Sequence, residues 1–183
     1  MRITLSILFF ILILFTNTSC NTDSYNDKVV KLDSISNRLS ENVAALYEID
    51  TVKVSNHYEI IMNDLDQVTQ LLGKRKVYNE EAIILSDYRA LRKNFSKFKP
   101  FRNDVKIESD LTIVQLNNLS TDLKKGIIEK NKVEEYYQKE FVHAIELNER
   151  VEGILTGLDK AFEKFEVMKK DVEIIKQDLK SGS

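Results

Sequence analysis

Few side chains in this sequence have the types and spacing to do chemistry. Glu140 and His143 form a Glu-x-x-His pair, and that spacing puts both on one face of a helix. Two copies of the motif, with two further glutamates, surround the metals of di-iron carboxylate bundles. The only other histidine, His57, has Val54 three residues before it, so no second copy exists. A histidine beside a surface glutamate is then the expected outcome, with no metal bound. His57 with Glu59 or Asp64 would make an acid–base pair, but catalysis also needs a nucleophile and oxyanion donors placed around it. The sequence contains no Gly-x-Ser-x-Gly, no phosphate-cradling glycine loop and no His-Glu-x-x-His. It points away from an enzyme and calls for no cofactor.

Charge offers a different chemistry. Between Lys74 and Arg102 stand nine cations (Lys74, Arg75, Lys76, Arg89, Arg92, Lys93, Lys97, Lys99, Arg102) against Glu80, Glu81 and Asp87. Arg89, Lys93 and Lys97 recur every four residues and so share a helical stripe. With Arg92 they are the candidate contacts for an anionic surface. The alternative is a solvated face partly paired with acids of the last helix, such as Glu134, Glu135, Glu146 and Glu149.

The N-terminus carries the third candidate, Cys20. Met1-Arg2 precede an apolar run from Ile3 to Phe15, broken only by Thr4 and Ser6, and then Thr16-Asn17-Thr18-Ser19-Cys20. One positive charge, a short apolar core and small polar residues predict a secretory signal peptide over 1–19. A spanning helix needs about 20 apolar residues; this run is shorter, and no other segment is long enough. Cys20 is the sole cysteine, so it has no partner for an internal disulfide. Its place after the apolar core and Ser19 resembles the lipobox of bacterial lipoproteins, from which Asn17 departs where an aliphatic residue is usual. The resemblance implies that the Cys20 thiol carries a diacylglyceryl group and heads the mature chain, held on a membrane by buried acyl CH₂ groups.

These candidates must be positioned by helices. The chain has 183 residues, one proline and five glycines. What remains after a leader is one-domain length, and the loss of Arg2 takes the formal charge from −2 to −3. That is too mild for a polyanion binder, and an exported chain is no nucleic-acid partner. Apolar positions recur at three and four throughout, the primary helix signal. The seams are Leu32-Ile35-Leu39-Val43-Leu46, Tyr58-Ile61-Leu65-Val68-Leu72, Ile84-Tyr88-Leu91-Phe95-Phe98 and, less regularly, Ile107-Leu111-Val114-Leu119-Leu123-Ile127. A fifth runs from Ala144 to Leu179 without a slip, a heptad seam as in coiled coils. Gly153 and Gly157 cost it about 1 kcal/mol each relative to alanine; they also spell Gly-x-x-x-Gly, which outside a membrane span means little. Asp50 is placed to cap the second helix and Asn79 the third. Gly73 is expected to end the second, Lys99-Pro100 the third and Gly126 the fourth, with Asn103-Asp104 opening the fourth.

The stretch from Leu119 to Gly126 through Tyr136, Glu140, Leu147, Val151 and Phe165, with the leader, resembles a set of uncharacterised helical lipoproteins of Bacteroidetes-type bacteria. That resemblance implies a cell-envelope setting and carries no activity or site residues. The expectation is an all-α protein: a signal peptide over 1–19, a lipid anchor and short tether over 20–27, and an elongated bundle of about five helices over 28–183 with a long coiled-coil-like C-terminal helix. It would act as an exported, membrane-anchored structural or protein-interaction module, self-associating through that helix or binding a protein partner. The rival is a ligand-binding or sensing bundle with an apolar pocket lined by Tyr58, Tyr88, Phe95 and Phe141.

Overall fold

The computed structural model describes residues 25–73 and 77–181. The leader and Cys20 lie outside the described residues, as do Lys74, Arg75 and Lys76. Among the described residues there is no strand, and four helices carry the fold: α1 Asn26–Glu48, α2 Thr51–Leu72, α3 Asn79–Lys125 and α4 Val133–Ser181. α1 starts at Asn26, so the last residues of the expected tether are helical.

Most helix ends follow the chemistry of their sequence. Ile49 and Asp50 are extended, and the Asp50 carboxylate accepts hydrogen bonds from the Val52 and Lys53 amides at 2.8 and 3.1 Å. That side-chain cap satisfies two of the free donors at the start of α2. Gly126 is left-handed at φ 65°; its amide donates to the Leu123 carbonyl and the Ile127 amide to the Asp122 carbonyl. This pair of hydrogen bonds closes α3 as a Schellman motif, which a side chain at Gly126 would strain. α3 opens one residue earlier than expected, with Tyr78 rather than Asn79 at the cap position; the Glu81 carboxylate accepts from the Tyr78 amide at 3.0 Å.

The expected count of five helices is corrected to four, because α3 runs straight through Lys99, Pro100 and Asn103-Asp104. Proline removes one backbone hydrogen bond and crowds the preceding turn. The helix is held on both sides of it by one uninterrupted inner seam: Tyr88, Leu91, Phe95, Phe98, Arg102, Val105, Ser109, Thr112, Leu116, Leu119 and Leu123, alternating three and four. All of these are buried except Arg102, which is half-buried. The expected apolar face of the following segment is corrected with it. Leu119 and Leu123 do face inward, but Ile107, Leu111, Val114 and Ile127 face solvent, while Ser109 and Thr112 take the inner positions. Continuing the register of Tyr88–Phe98 across Pro100 leaves no other choice.

The long helices, 47 and 49 residues, are each roughly 70 Å in length. They form an antiparallel hairpin, and α1 and α2 pack in tandem along it rather than side by side. Both run antiparallel to α3 and parallel to α4. Ser36 meets Asn117 and Tyr47 meets Arg102, while Lys28 meets Glu134 and Asn42 meets Asn148. Along α2, Asp64 meets Tyr88 and Lys176. Every cross-section is therefore three helices thick. The α1–α2 joint at Ile49-Asp50 falls level with Pro100 of α3 and with Gly157 of α4, whose carbonyl accepts from Asn94 Nδ2 at 3.3 Å.

The α4 seam is buried along its length, with Ile154 and Met168 partly exposed. α4 is one helix through Gly153 and Gly157. Two apolar clusters fill the bundle. One holds Val29, Leu32, Ile35, Leu116, Leu119, Leu123, Val133, Tyr137 and Ala144 at the free end of the α1 section. The larger runs from Leu39 and Leu46 through the whole α2 section to Leu179.

Candidate functional site

The residues singled out for acid–base or metal chemistry are separated by the fold. Glu140 and His143 do lie on one helix, but His143 is exposed and faces Glu108 of α3 at 3.9 Å. Among the described residues no group of three His, Cys, Asp or Glu side chains is placed to hold a metal ion. His57 sits on the inner face of α2 in a box of Phe95, Phe162 and Phe165, with ring centroids 5.5, 5.0 and 4.3 Å away. Its Nδ1 lies 2.7 Å from the Lys53 carbonyl, to which it donates; the buried Nε2 has no hydrogen-bond partner and is 3.8 Å from Glu166. Glu59 is exposed, and Asp64 is engaged elsewhere.

Asp64 is the centre of a buried polar cluster drawn from three helices. Tyr88 donates its hydroxyl to Asp64 Oδ2 at 2.8 Å, and Lys176 Nζ donates to Oδ1 at 2.7 Å. Lys176 also reaches Glu173 at 2.5 Å and Gln67 at 3.3 Å. Burial pulls the Lys176 ammonium down, and the bonds to Asp64 and Glu173 outweigh it and hold it above the ordinary lysine range. Burial, then the bond to Asp64, pushes the Tyr88 hydroxyl up. The cluster is closed by its own members and is a register pin between α2, α3 and α4. Sequence reasoning missed it; the available signal was an acid (Asp64) and a lysine (Lys176) sitting at seam positions of two amphipathic helices.

The other candidate lies on the outside. Arg89, Lys93 and Lys97 are exposed on the face of α3 turned away from the bundle, and none has an ion-pair partner among the described residues. The acids expected to neutralise them lie at the opposite end of α4, where Glu134 pairs with Lys28 at 2.9 Å. Arg92 departs from the stripe: it is half-buried and leans toward α2, with Nη1 4.0 Å from the Met62 sulfur. Arg102 is a structural cation. Its guanidinium stacks on the Tyr47 ring at 4.3 Å and donates to the Tyr47 carbonyl at 2.8 Å, near the negative end of α1. Further along the same outer face stand Ile107, Leu111 and Val114, 69%, 61% and 56% exposed. Positions 89, 93, 107, 111 and 114 fall within a narrow arc of the helix, directly opposite the inner seam.

Three of the surface clefts among the described residues stand out. The largest of the three, about 780 Å³, lies between α3 and α4 and is lined by Ala90, Leu91, Asn94, Gly157, Ala161 and Met168, among others. A side chain at Gly157 would meet nothing within 4 Å. None of the three is lined by Tyr58, Tyr88, Phe95 or Phe141. Tyr88 and Phe95 are packed solid in the larger cluster, and Phe141 borders the other. Among the described residues no helix is long and apolar enough to cross a membrane. Compared with known proteins, the chain matches no protein-family model, no curated protein and no solved structure.

Proposed function

We propose that this chain is an exported lipoprotein, held in the bacterial cell envelope by a lipid on Cys20, and that its helical rod is a structural or protein-interaction module. The observation that carries the reading is the order charge, short apolar core, small polar residues, single cysteine over Met1–Cys20. The shape of the domain is consistent with it. α1 begins six residues after Cys20 in the sequence, and in the rod that follows the buried Asp64, Tyr88 and Lys176 side chains satisfy one another.

The α4 seam is coiled-coil-like in its spacing, and its partners are α1, α2 and α3 of the same chain. Self-association through α4 is therefore left to its outer residues, where Val167 and Ile174 are exposed. The anchor is tested by fractionating cells that express the full chain and a Cys20→Ser variant. The wild type is expected in the membrane fraction with incorporated labelled fatty acid, and the variant in the soluble fraction without label. A variant that stays on the membrane ends the lipid-anchor reading.

A further inference from the structure

The outer face of α3 is unusual because it combines two features that a solvated helix face lacks. Exposed single aliphatic residues are ordinary. Here three, Ile107, Leu111 and Val114, recur at four and three on one line, while the positions facing the core in the same turns are Ser109 and Thr112. Toward the N-terminal end the line continues into Lys93 and Arg89, flanked by Lys97, all without ion pairs among the described residues. The distance from Arg89 to Val114 along the helix is roughly 37 Å. One straight ridge thus carries three free cations and then three aliphatic side chains.

From this we infer that the outer face of α3 lies on an anionic lipid surface, with Arg89, Lys93 and Lys97 against the headgroups and Ile107, Leu111 and Val114 dipped into the acyl boundary. Charge complementarity selects this occupant, because cations without ion-pair partners among the described residues meet their counter-charge in the headgroups. The form of the face agrees: it is the crest of a helix, and a flat bilayer accepts a line of residues as an interfacial helix does. A second copy of the chain fits poorly. Parallel pairing of two α3 crests sets Lys93 and Lys97 against their own twins, and antiparallel pairing about Leu111 sets Lys97 against Lys125. Asp104, exposed between the two stretches, is the acid that opposes docking; Asp110 is already paired with Lys106 at 2.8 Å. The bundle would then lie along the membrane rather than stand upright on its tether. The inference rests on the membrane location proposed above, but it does not need the lipid on Cys20.

The test is co-sedimentation of the full chain, carrying Cys20→Ser in every sample, with vesicles of phosphatidylcholine alone and of phosphatidylcholine mixed with phosphatidylglycerol. Residues 1–24 are common to all samples, so their contribution cancels in the comparison. The parent is expected to favour the anionic vesicles by about a hundredfold at low salt, three cations each adding a few-fold, and to lose that preference as salt rises. The Arg89→Glu/Lys93→Glu/Lys97→Glu variant is expected to lose the preference. Ile107→Gln/Leu111→Gln/Val114→Gln weakens binding to anionic vesicles severalfold, and Asp104→Asn strengthens it. All of these positions are exposed, and unchanged circular dichroism confirms that each variant is folded. Equal binding to both vesicle types by the parent, or undiminished anionic binding by the charge-reversed variant, overturns the inference. Neither result bears on the lipid anchor, which the fractionation of Cys20→Ser decides separately.

Discussion

The two sections of the rod, on either side of the level marked by Asp50, Pro100 and Gly157, use the same two long helices and solve the same problem differently. In the α2 section the core is aromatic: Phe95 and Phe165 are buried against His57, Tyr88 stacks on Phe165, Phe98 is buried further along, and one ionic cluster with a buried centre joins all three helices. In the α1 section the inner positions of α3 are Val105, Ser109, Thr112, Leu116, Leu119 and Leu123, small and polar in the middle of the run, and polar pairs bridge the helices. Ser120 donates to Asp33 at 2.6 Å, Lys124 to Asp33 at 3.0 Å, and Asn42 to Asn148 at 2.9 Å. Large rings give one section its stability through area. The other has small polar side chains within and leaves three aliphatic ones outside. The contrast places the exposed aliphatic residues of α3 in its α1 half, next to its basic continuation.

The comparison is broken most forcefully at Asp64. Replacement by alanine leaves the buried Tyr88 hydroxyl without its acceptor and Lys176 with only Glu173 and Gln67, a loss of about 3 kcal/mol. Chemical denaturation of Asp64→Ala is expected to show that loss, whereas Asp33→Ala, on a half-exposed carboxylate, shows well under half of it. A similar cost at both sites would mean that the sections are held alike. The pH dependence separates them as well. Lys176 is held above the ordinary lysine range and Tyr88 is pushed up, so the stability they contribute is complete below about pH 10 and is lost as pH rises beyond it. Burial raises the Asp33 carboxyl, and the bonds from Ser120 and Lys124 outweigh it and leave it below the usual carboxylate range. Its contribution is complete above about pH 4 and is lost as pH falls through that lowered value. Hydrogen exchange is expected to show α2 loosening first in alkali and α1 first in acid.

What the sequence disclosed follows the same division. Where inner positions are large and apolar, spacing alone found the helices: the α2 seam, Tyr88 to Phe98, and Ala144 to Leu179 all face inward, and the Asp50 cap, Gly73 and Gly126 end helices where expected. Past Pro100 the inner seam is carried by Arg102, Ser109 and Thr112, which a count of apolar residues passes over. Ile107, Leu111 and Val114 then supplied a rival seam at the same period on the opposite face. Proline reinforced the error, because its local cost is real and the tertiary contacts that offset it lie on other helices. The outer stripe of Arg89, Lys93 and Lys97 was legible from four-residue spacing, but not the different roles of Arg92 and Arg102, which depend on Met62 and Tyr47 of neighbouring helices.

The boundary between the sections offers the next test. Pro100 is exposed inside α3, and it costs a helix interior about 3 kcal/mol relative to alanine, with no gain from burial to offset it. Pro100→Ala restores an amide donor and is expected to raise stability by about 2 kcal/mol, measured by denaturant midpoint at constant slope. The same change at the joint acts in the opposite direction: Asp50→Ala removes the bonds to the Val52 and Lys53 amides and is expected to cost about 1 kcal/mol. If Pro100→Ala is destabilising, the two sections are not one continuous lever through α3, and the level of Asp50, Pro100 and Gly157 would mark a fitted joint instead.

The smallest expected effect is the most discriminating for the α1 section. Ser109 is fully buried on the inner seam, and its hydroxyl has no hydrogen-bond partner. Thr112, one turn on, satisfies its own hydroxyl by donating to the Glu108 carbonyl at 2.8 Å. An unmade hydrogen bond costs about 1–3 kcal/mol, while the oxygen removed by Ser109→Ala leaves only a small void. The variant is therefore expected to be more stable by about 1 kcal/mol, with Thr112→Ala unchanged or slightly worse. Measured side by side, the pair asks whether the polar inner face of α3 is tolerated or required. A loss of stability in Ser109→Ala would show a partner for that hydroxyl and make the small inner seam a designed contact with α1. A gain leaves the seam a concession, and turns attention to what the aliphatic ridge on the other side of the same turns is for.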